Sequence, residues 1–151
     1  MFTGLSYIDI KNLTVDNIQE RYDDAYWIIT KRQKTNTKVE LPLLKIPLKI
    51  LEKYKDERNG LKLLPVMSNQ KVNAYLKELY DICGINKRLT FHCARHSFST
   101  SIMLDNGISI ETLSRVLGHV NIKTTQLYAK VTNMKVHNEM STLSKKLSFS
   151  Y

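Results

Sequence analysis

The apolar positions of this chain change their period as one reads along it. Residues 4–13, GLSYIDIKNL, place Leu5, Ile8 and Leu13 at helical spacing, with Thr14 and Asp16 offering turn or capping oxygens just beyond. From Ile18 to Leu43 the period shortens. IQERY, AYWIITKRQK and KVELPL are β-rich runs parted by Asp23-Asp24 and by Thr35-Asn36-Thr37, which predicts a three-stranded antiparallel sheet. Helical spacing then returns. Pro47 suits the first turn of a helix reaching about Glu57, and Asn59-Gly60 breaks it. After the connector Leu63-Leu64-Pro65-Val66, Ser68 or Asn69 caps a helix through Ile82 that is expected to bury Val72, Tyr75, Leu76, Leu79 and Tyr80. Gly84 ends it.

Thr90 precedes a helix HCARHSFSTSIML closed by Asn106-Gly107, and Ser109 opens ETLSRVL, which stops at Gly118. A last short helix, Thr124 to Lys130, is expected to carry Tyr128. The stretch 133–151 is polar and weakly amphipathic, with Val136, Met140, Leu143 and Leu147 at helical spacing. This tail is expected to fold back on its own domain or to dock on a neighbouring protomer. The fold class that follows is α+β, mainly α, with a small three-stranded antiparallel sheet near the N-terminus.

With 151 residues and 42% hydrophobic content the chain fits one domain with a real core. Its 23 Lys+Arg against 14 Asp+Glu leave +9, a balance that suits a polyanionic partner or simply confers solubility. Two cysteines, Cys83 and Cys93, make no disulfide framework and fit a reducing compartment. No apolar run approaches a membrane span and the N-terminus lacks a signal-peptide pattern, so a cytoplasmic protein with no membrane partner is expected.

Most of the reactive groups fall between Thr90 and Tyr128. The skeleton is His92-x-x-Arg95, then Leu117-Gly118-His119, then Tyr128 nine residues further on. Together these supply imidazoles, a guanidinium that grips two phosphate oxygens at once, and a phenol. That set suits a phosphodiester. A phenol with an ordinary pKa of about 10 is a poor nucleophile unless neighbouring donors stabilise its charge or that of the phosphate it attacks.

This order and spacing resembles the catalytic domain of the tyrosine recombinases, the lambda-integrase-like DNA strand-exchange enzymes, and the resemblance runs from Phe2 to about Val131. It implies that Tyr128 attacks a DNA phosphate to give a 3′-phosphotyrosyl link, with no cofactor, metal or ATP. It implies that Arg95 contacts the non-bridging oxygens, that His92 donates to the phosphate and carries protons, and that His119 meets the same phosphate from the other side. Lys34, matched by counting back from Pro42 of the V-E-L-P-L strand, becomes the general acid for the leaving 5′-oxygen. His96 becomes structural support, and Asp9 falls where an acidic residue buttresses the site.

One position departs from the pattern. Where the family has arginine after T-G-L, this chain reads Thr3-Gly4-Leu5-Ser6-Tyr7, and a serine supplies one hydrogen bond but no charge. Arg32, two residues before Lys34, is the candidate compensating cation, because residues two apart on a strand share a face.

The resemblance further implies double-stranded DNA as partner, a tetramer on DNA for the full-length protein and a monomer for this piece. It places the protein with the bacterial nucleoid, in integration or excision of a phage or conjugative transposon. It divides the chain into a catalytic domain over 1–132 and a helical tail over 133–151, a fragment of a longer protein whose N-terminal DNA-binding domain lies elsewhere. Three other readings fit the residues less well. A metal site from Cys83, His92, Cys93 and His96 lacks a recognised third ligand and has Arg95 between its histidines, repelling a dication. A DNA-binding module that has lost catalysis would make Ser6 the lesion, but needs none of the retained nucleophilic set. A type IB topoisomerase shares the chemistry, but the spacing from His119 to Tyr128 favours the recombinases.

Overall fold

The computed structural model describes residues 1–22, 24–58 and 60–129, the backbone of 133–148, and side chains of the last helix from 136 to 147. Asp23, Asn59 and Lys130, which the sequence assigned to turns and to a helix end, lie outside the described residues. The first helix, α1 (Tyr7–Asn12), starts later than its apolar pattern predicts. Ser6 takes the N-cap, its Oγ accepting from the Asp9 amide at 3.3 Å. Leu5 and Leu13, just outside α1, are buried, whereas Ile8 is exposed.

Three antiparallel strands follow: β1 (Ile18–Arg21), β2 (Ala25–Lys31) and β3 (Lys38–Pro42), in the spatial order β1-β2-β3. In the register, Ile28 on the central strand faces Ile18 on one side and Leu41 on the other. Period two puts Val39 and Leu41 on the buried face of β3, and the proline at its end is tolerated because β3 is an edge strand. The β2–β3 turn spans residues 32–37. It closes through Arg32 N–H to Thr37 O at 2.9 Å and Asn36 N–H to Arg32 O at 2.8 Å, with Asn36 at φ +54°, a conformation asparagine tolerates.

The helices are α2 (Lys45–Lys53), α3 (Asn69–Ile82), α4 (Phe91–Ser97), α5 (Ile110–Leu117), α6 (Ile122–Gln126) and α7 (Asn133–Ser148). Ser68 and Ser109 cap α3 and α5 as their sequences predict. Helix α4 continues as a π-helical turn, Phe98–Met103, where the Ser99 and Thr100 hydroxyls donate to the Arg95 and His96 carbonyls at 2.9 and 3.1 Å.

Two apolar clusters meet at β3. One joins Leu5, Leu13, Ile28, Val39, Leu43 and Leu63. The other joins Leu41, Phe98, Leu104, Leu113, Val116 and Leu117. Each fully buried side chain of this size contributes about 1.5–3 kcal/mol. The π-helical turn after α4 and helix α5 are thereby held against the sheet, and α1 is tied to α4 by an edge-to-face contact of Tyr7 with Phe91 at 5.7 Å.

Several expectations are corrected. Helix α3 buries none of its residues: Tyr75 and Leu79 are exposed, and Val72, Leu76 and Tyr80 are half-buried. Its length and cap were legible, but among the described residues the helix it chiefly packs on is the short α4. Helix α6 ends at Gln126, so Tyr128 lies in the turn beyond it. Arg32 and Lys34 sit in the turn and not on β2, so the shared-face argument does not apply to them. The tail is helical, but Val136, Met140, Leu143 and Leu147 are all exposed and do not fold back into the core.

Candidate active site

Arg95 is the anchor of the site. It lies on α4, one turn before the π-helical segment, and only 5% of it is exposed. Nη1 donates to the Gly4 carbonyl, Nη2 to the Leu117 carbonyl at 2.8 Å, and Nη2 also meets His119 Nε2 at 3.1 Å. Burial, followed by the neighbouring Arg32 charge, pushes its pKa down, while Tyr128 and Asp9 act in the other direction. Burying a guanidinium is costly unless its donors are matched, and here backbone carbonyls supply the match.

Arg32 reaches the same place from the β2–β3 turn. Its Nη1 donates to the Leu117 carbonyl at 3.3 Å, and its Nε lies 3.7 Å from Asp9 Oδ2, too long for a hydrogen bond. Among the described residues that buried Nε has no hydrogen-bond partner. Asp9, 4% exposed, organises this corner: it accepts from Ser6 Oγ at 2.6 Å and from the Gln33 amide at 2.9 Å. The side chain of Ser6 is thus consumed by capping α1 and contacting Asp9. The stem of Arg32 passes over Gly118, where a Cβ would sit 2.7 Å from Arg32 Cδ and 2.5 Å from Val39 Cγ2. Gly118 has φ +63°, ends α5 in the left-handed conformation, and so turns the chain to deliver His119.

His119 is half-buried, with Nδ1 2.8 Å from Thr125 Oγ1. Its pKa falls to about 4, from burial first and then from Arg95 and Arg32. The imidazole is therefore neutral at physiological pH. Tyr128 packs between two imidazoles, nearly parallel to His119 at 6.4 Å and tilted by 48° against His96 at 5.2 Å. The structure thus brings together Arg95, His119, Tyr128, Arg32, Asp9 and His96. It leaves two expected residues at the margin. His92 is exposed and lines a cleft of about 300 Å³ with Ser6, Tyr7, Asn73 and Arg95. Lys34 is exposed in the turn.

Sequence reasoning missed Thr125, the Leu117 carbonyl and the Gln33 amide. Backbone groups carry no residue signal, and Thr125 reads as an ordinary polar helix position. The second apparent metal candidate, Cys93, is occupied otherwise: its thiol takes the Thr90 amide at 3.4 Å at the start of α4. Cys83 is exposed on a different element, and among the described residues no group of three His, Cys, Asp or Glu is placed to hold a metal. Among the described residues, too, no helix is long and apolar enough to cross a membrane.

Comparison with known proteins bears on this arrangement. The model of the phage integrase family matches residues 1–135. The tyrosine recombinase XerD of Listeria monocytogenes is 30% identical over 148 residues, covering 89% of this chain and 48% of that relative. The tyrosine recombinase XerA of Thermococcus onnurineus is 47% identical over 66 residues, 44% of this chain and 22% of its own length. The chain spans about half the length of the XerD relative it matches. Among solved structures, that of XerA recombinase superposes with a TM-score of 0.72 at 22% identity, covering 93% of this chain and 54% of the other. The Tn1549 transposon integrase in complex with transposon right-end DNA gives 0.71 at 17% identity, covering 95% and 56%. At these identities the two structures share the fold: a helical catalytic-domain architecture with a three-stranded antiparallel sheet.

Proposed function

The chain belongs to the phage integrase family, and on that premise we propose that it is the strand-cleaving and rejoining unit of a site-specific DNA recombinase, with Tyr128 as nucleophile. The observation that carries this reading is the near-parallel placement of the Tyr128 ring beside His119, whose Nε2 meets the buried Arg95 guanidinium. The Tyr128 oxygen attacks the scissile phosphorus and forms a 3′-phosphotyrosyl bond as the bond to the 5′-oxygen breaks. The departing oxygen takes a proton from Lys34, whose exposed position in a turn lets it reach a duplex lying over the site. A 5′-hydroxyl of a partner strand then attacks the phosphotyrosyl and returns the tyrosine. One phosphodiester is exchanged for another, so no nucleotide is consumed and no metal is needed.

Charge builds on the non-bridging oxygens in the transition state, and this site offers two guanidiniums against one buried carboxylate. Arg95 is the first clamp. Arg32 is the second, replacing the charge that Ser6 lacks. His92, at the rim of the cleft that Arg95 also lines, donates to the phosphate and carries protons. His119 meets the phosphate from the side of α5. Double-stranded DNA is the partner, a reading supported by the Tn1549 integrase, whose structure is solved in complex with transposon right-end DNA. A tetramer on DNA, residues 1–132 as the catalytic unit and 133–151 as an appended tail complete the reading, with integration or excision of a mobile element as its setting.

A second reading has one observation behind it. Ser6 is committed to the cap of α1 and to Asp9, so it offers the phosphate no charge, and a DNA-binding module of the same fold with impaired catalysis would look the same there. Covalent trapping separates the two. On a nicked suicide duplex the recombinase gives an SDS-resistant protein–DNA adduct that disappears in Tyr128→Phe. Absence of any adduct from the parent on its own target site would leave the binding module.

A further inference from the structure

We propose that Thr125 is a positioning residue that sets which ring nitrogen of His119 carries the proton, a role that rests on the reading of His119 as part of a phosphodiester site. Donor and acceptor chemistry distinguishes the two ring nitrogens. A guanidinium only donates, so at 3.1 Å from Arg95 Nη2 the His119 Nε2 atom must offer its lone pair. A neutral ring then holds its one proton on Nδ1, and that N–H donates to Thr125 Oγ1 at 2.8 Å. Thr125 is 0% exposed, so no bulk water competes for this bond. Its helix α6 packs on α5, the element that delivers His119 through Gly118.

The two nearest cations, Arg95 and Arg32, favour the neutral form of the ring. Arg95 approaches from α4, Arg32 from the β2–β3 turn and Tyr128 from the segment after α6, while Lys38, Glu111 and Arg115 line the groove on its outer side. Burial beside Arg95 and Arg32 lowers the pKa to about 4, in keeping with this. The Nδ1 bond to Thr125 keeps the Nε2 lone pair on the Arg95 guanidinium, so the ring holds Arg95 in place for a phosphate.

The test pairs a spectrum with a rate. Histidine-labelled 151-residue protein is examined by long-range ¹H–¹⁵N correlation at neutral pH as parent, Thr125→Val and Thr125→Ser, with His119→Gln assigning the signal. The parent and the serine variant should hold a protonated Nδ1 and a bare Nε2, and the valine variant should shift toward the other tautomer. Adduct formation on the nicked duplex should fall by about 10- to 100-fold in Thr125→Val, as when a partner orienting a metal-bound histidine is lost, and return in Thr125→Ser. A parent protonated on Nε2, or a valine variant with the parent's tautomer, overturns the proposal. The parent spectrum decides even if the valine variant does not fold. It is read without DNA, so failure of the recombinase reading, a parent that forms no adduct, is seen separately.

Discussion

Arg32 and Arg95 donate to the same carbonyl oxygen, that of Leu117, at 3.3 and 2.8 Å, although one comes from a turn and the other from a helix 63 positions later. Two like charges converge beside the buried Asp9 carboxylate: Arg32 lowers the ease of charging Arg95, and both act on His119. Such a concentration of buried donors is expensive to maintain in the free protein. A phosphate would relieve it, which is why these two side chains carry the first prediction.

Arg32→Ala should slow formation of the covalent adduct on a nicked suicide duplex by about 10²–10³, the usual cost of removing one donor from a developing oxyanion. Arg32→Lys should recover part of the rate, since it keeps the charge but loses the fork. Cleavage by Arg32→Ala at the parental rate would mean that this cation has no part in clamping phosphate.

Lys34→Ala should slow cleavage of an ordinary phosphodiester by about 10²–10⁴, the range for loss of a general acid. It should cleave a substrate with sulfur at the leaving 5′ position nearly as fast as the parent, because a thiolate leaves without a proton. Equal losses on both substrates would assign Lys34 to binding.

His119 makes stability depend on pH in a definite direction. Its pKa is about 4 when folded and near the ordinary 6.5 when unfolded, so between these values the unfolded chain binds more protons. The contribution is therefore complete above pH 6.5 and is lost as pH falls toward 4. Urea unfolding of the parent between pH 4 and 6.5 should show this slope, and His119→Gln should flatten it. An unchanged slope in the variant would place the proton-linked group elsewhere.

Gly118→Ala should cost about 1–2 kcal/mol for the left-handed backbone and roughly 1–3 kcal/mol more for overpacking against Val39 and Arg32. Gly84 has a similar φ of +64° but open space where a Cβ would point, so Gly84→Ala should show the backbone cost alone. Chemical denaturation of both variants checks the difference. Equal losses would mean that the Arg32 stem and Val39 yield without penalty.

The local sequence determined a great deal here. Alternating apolar residues determined three strands, serines at 68 and 109 determined two helix starts, and the spacing of His92, Arg95, His119 and Tyr128 marked the reactive stretch. These features depend on neighbours a few positions apart, which a linear reading contains. The tertiary structure alone decided that α3 stays largely uncovered, that Tyr128 lies past the end of α6, and that Arg32 enters the site by bending out of the turn. It also brought the Gly4 and Leu117 carbonyls to the Arg32 and Arg95 guanidiniums, and set Thr125 against His119. Those relations join backbone groups and residues far apart in the chain. Their existence depends on how two apolar clusters close across β3, a packing outcome that no local period encodes.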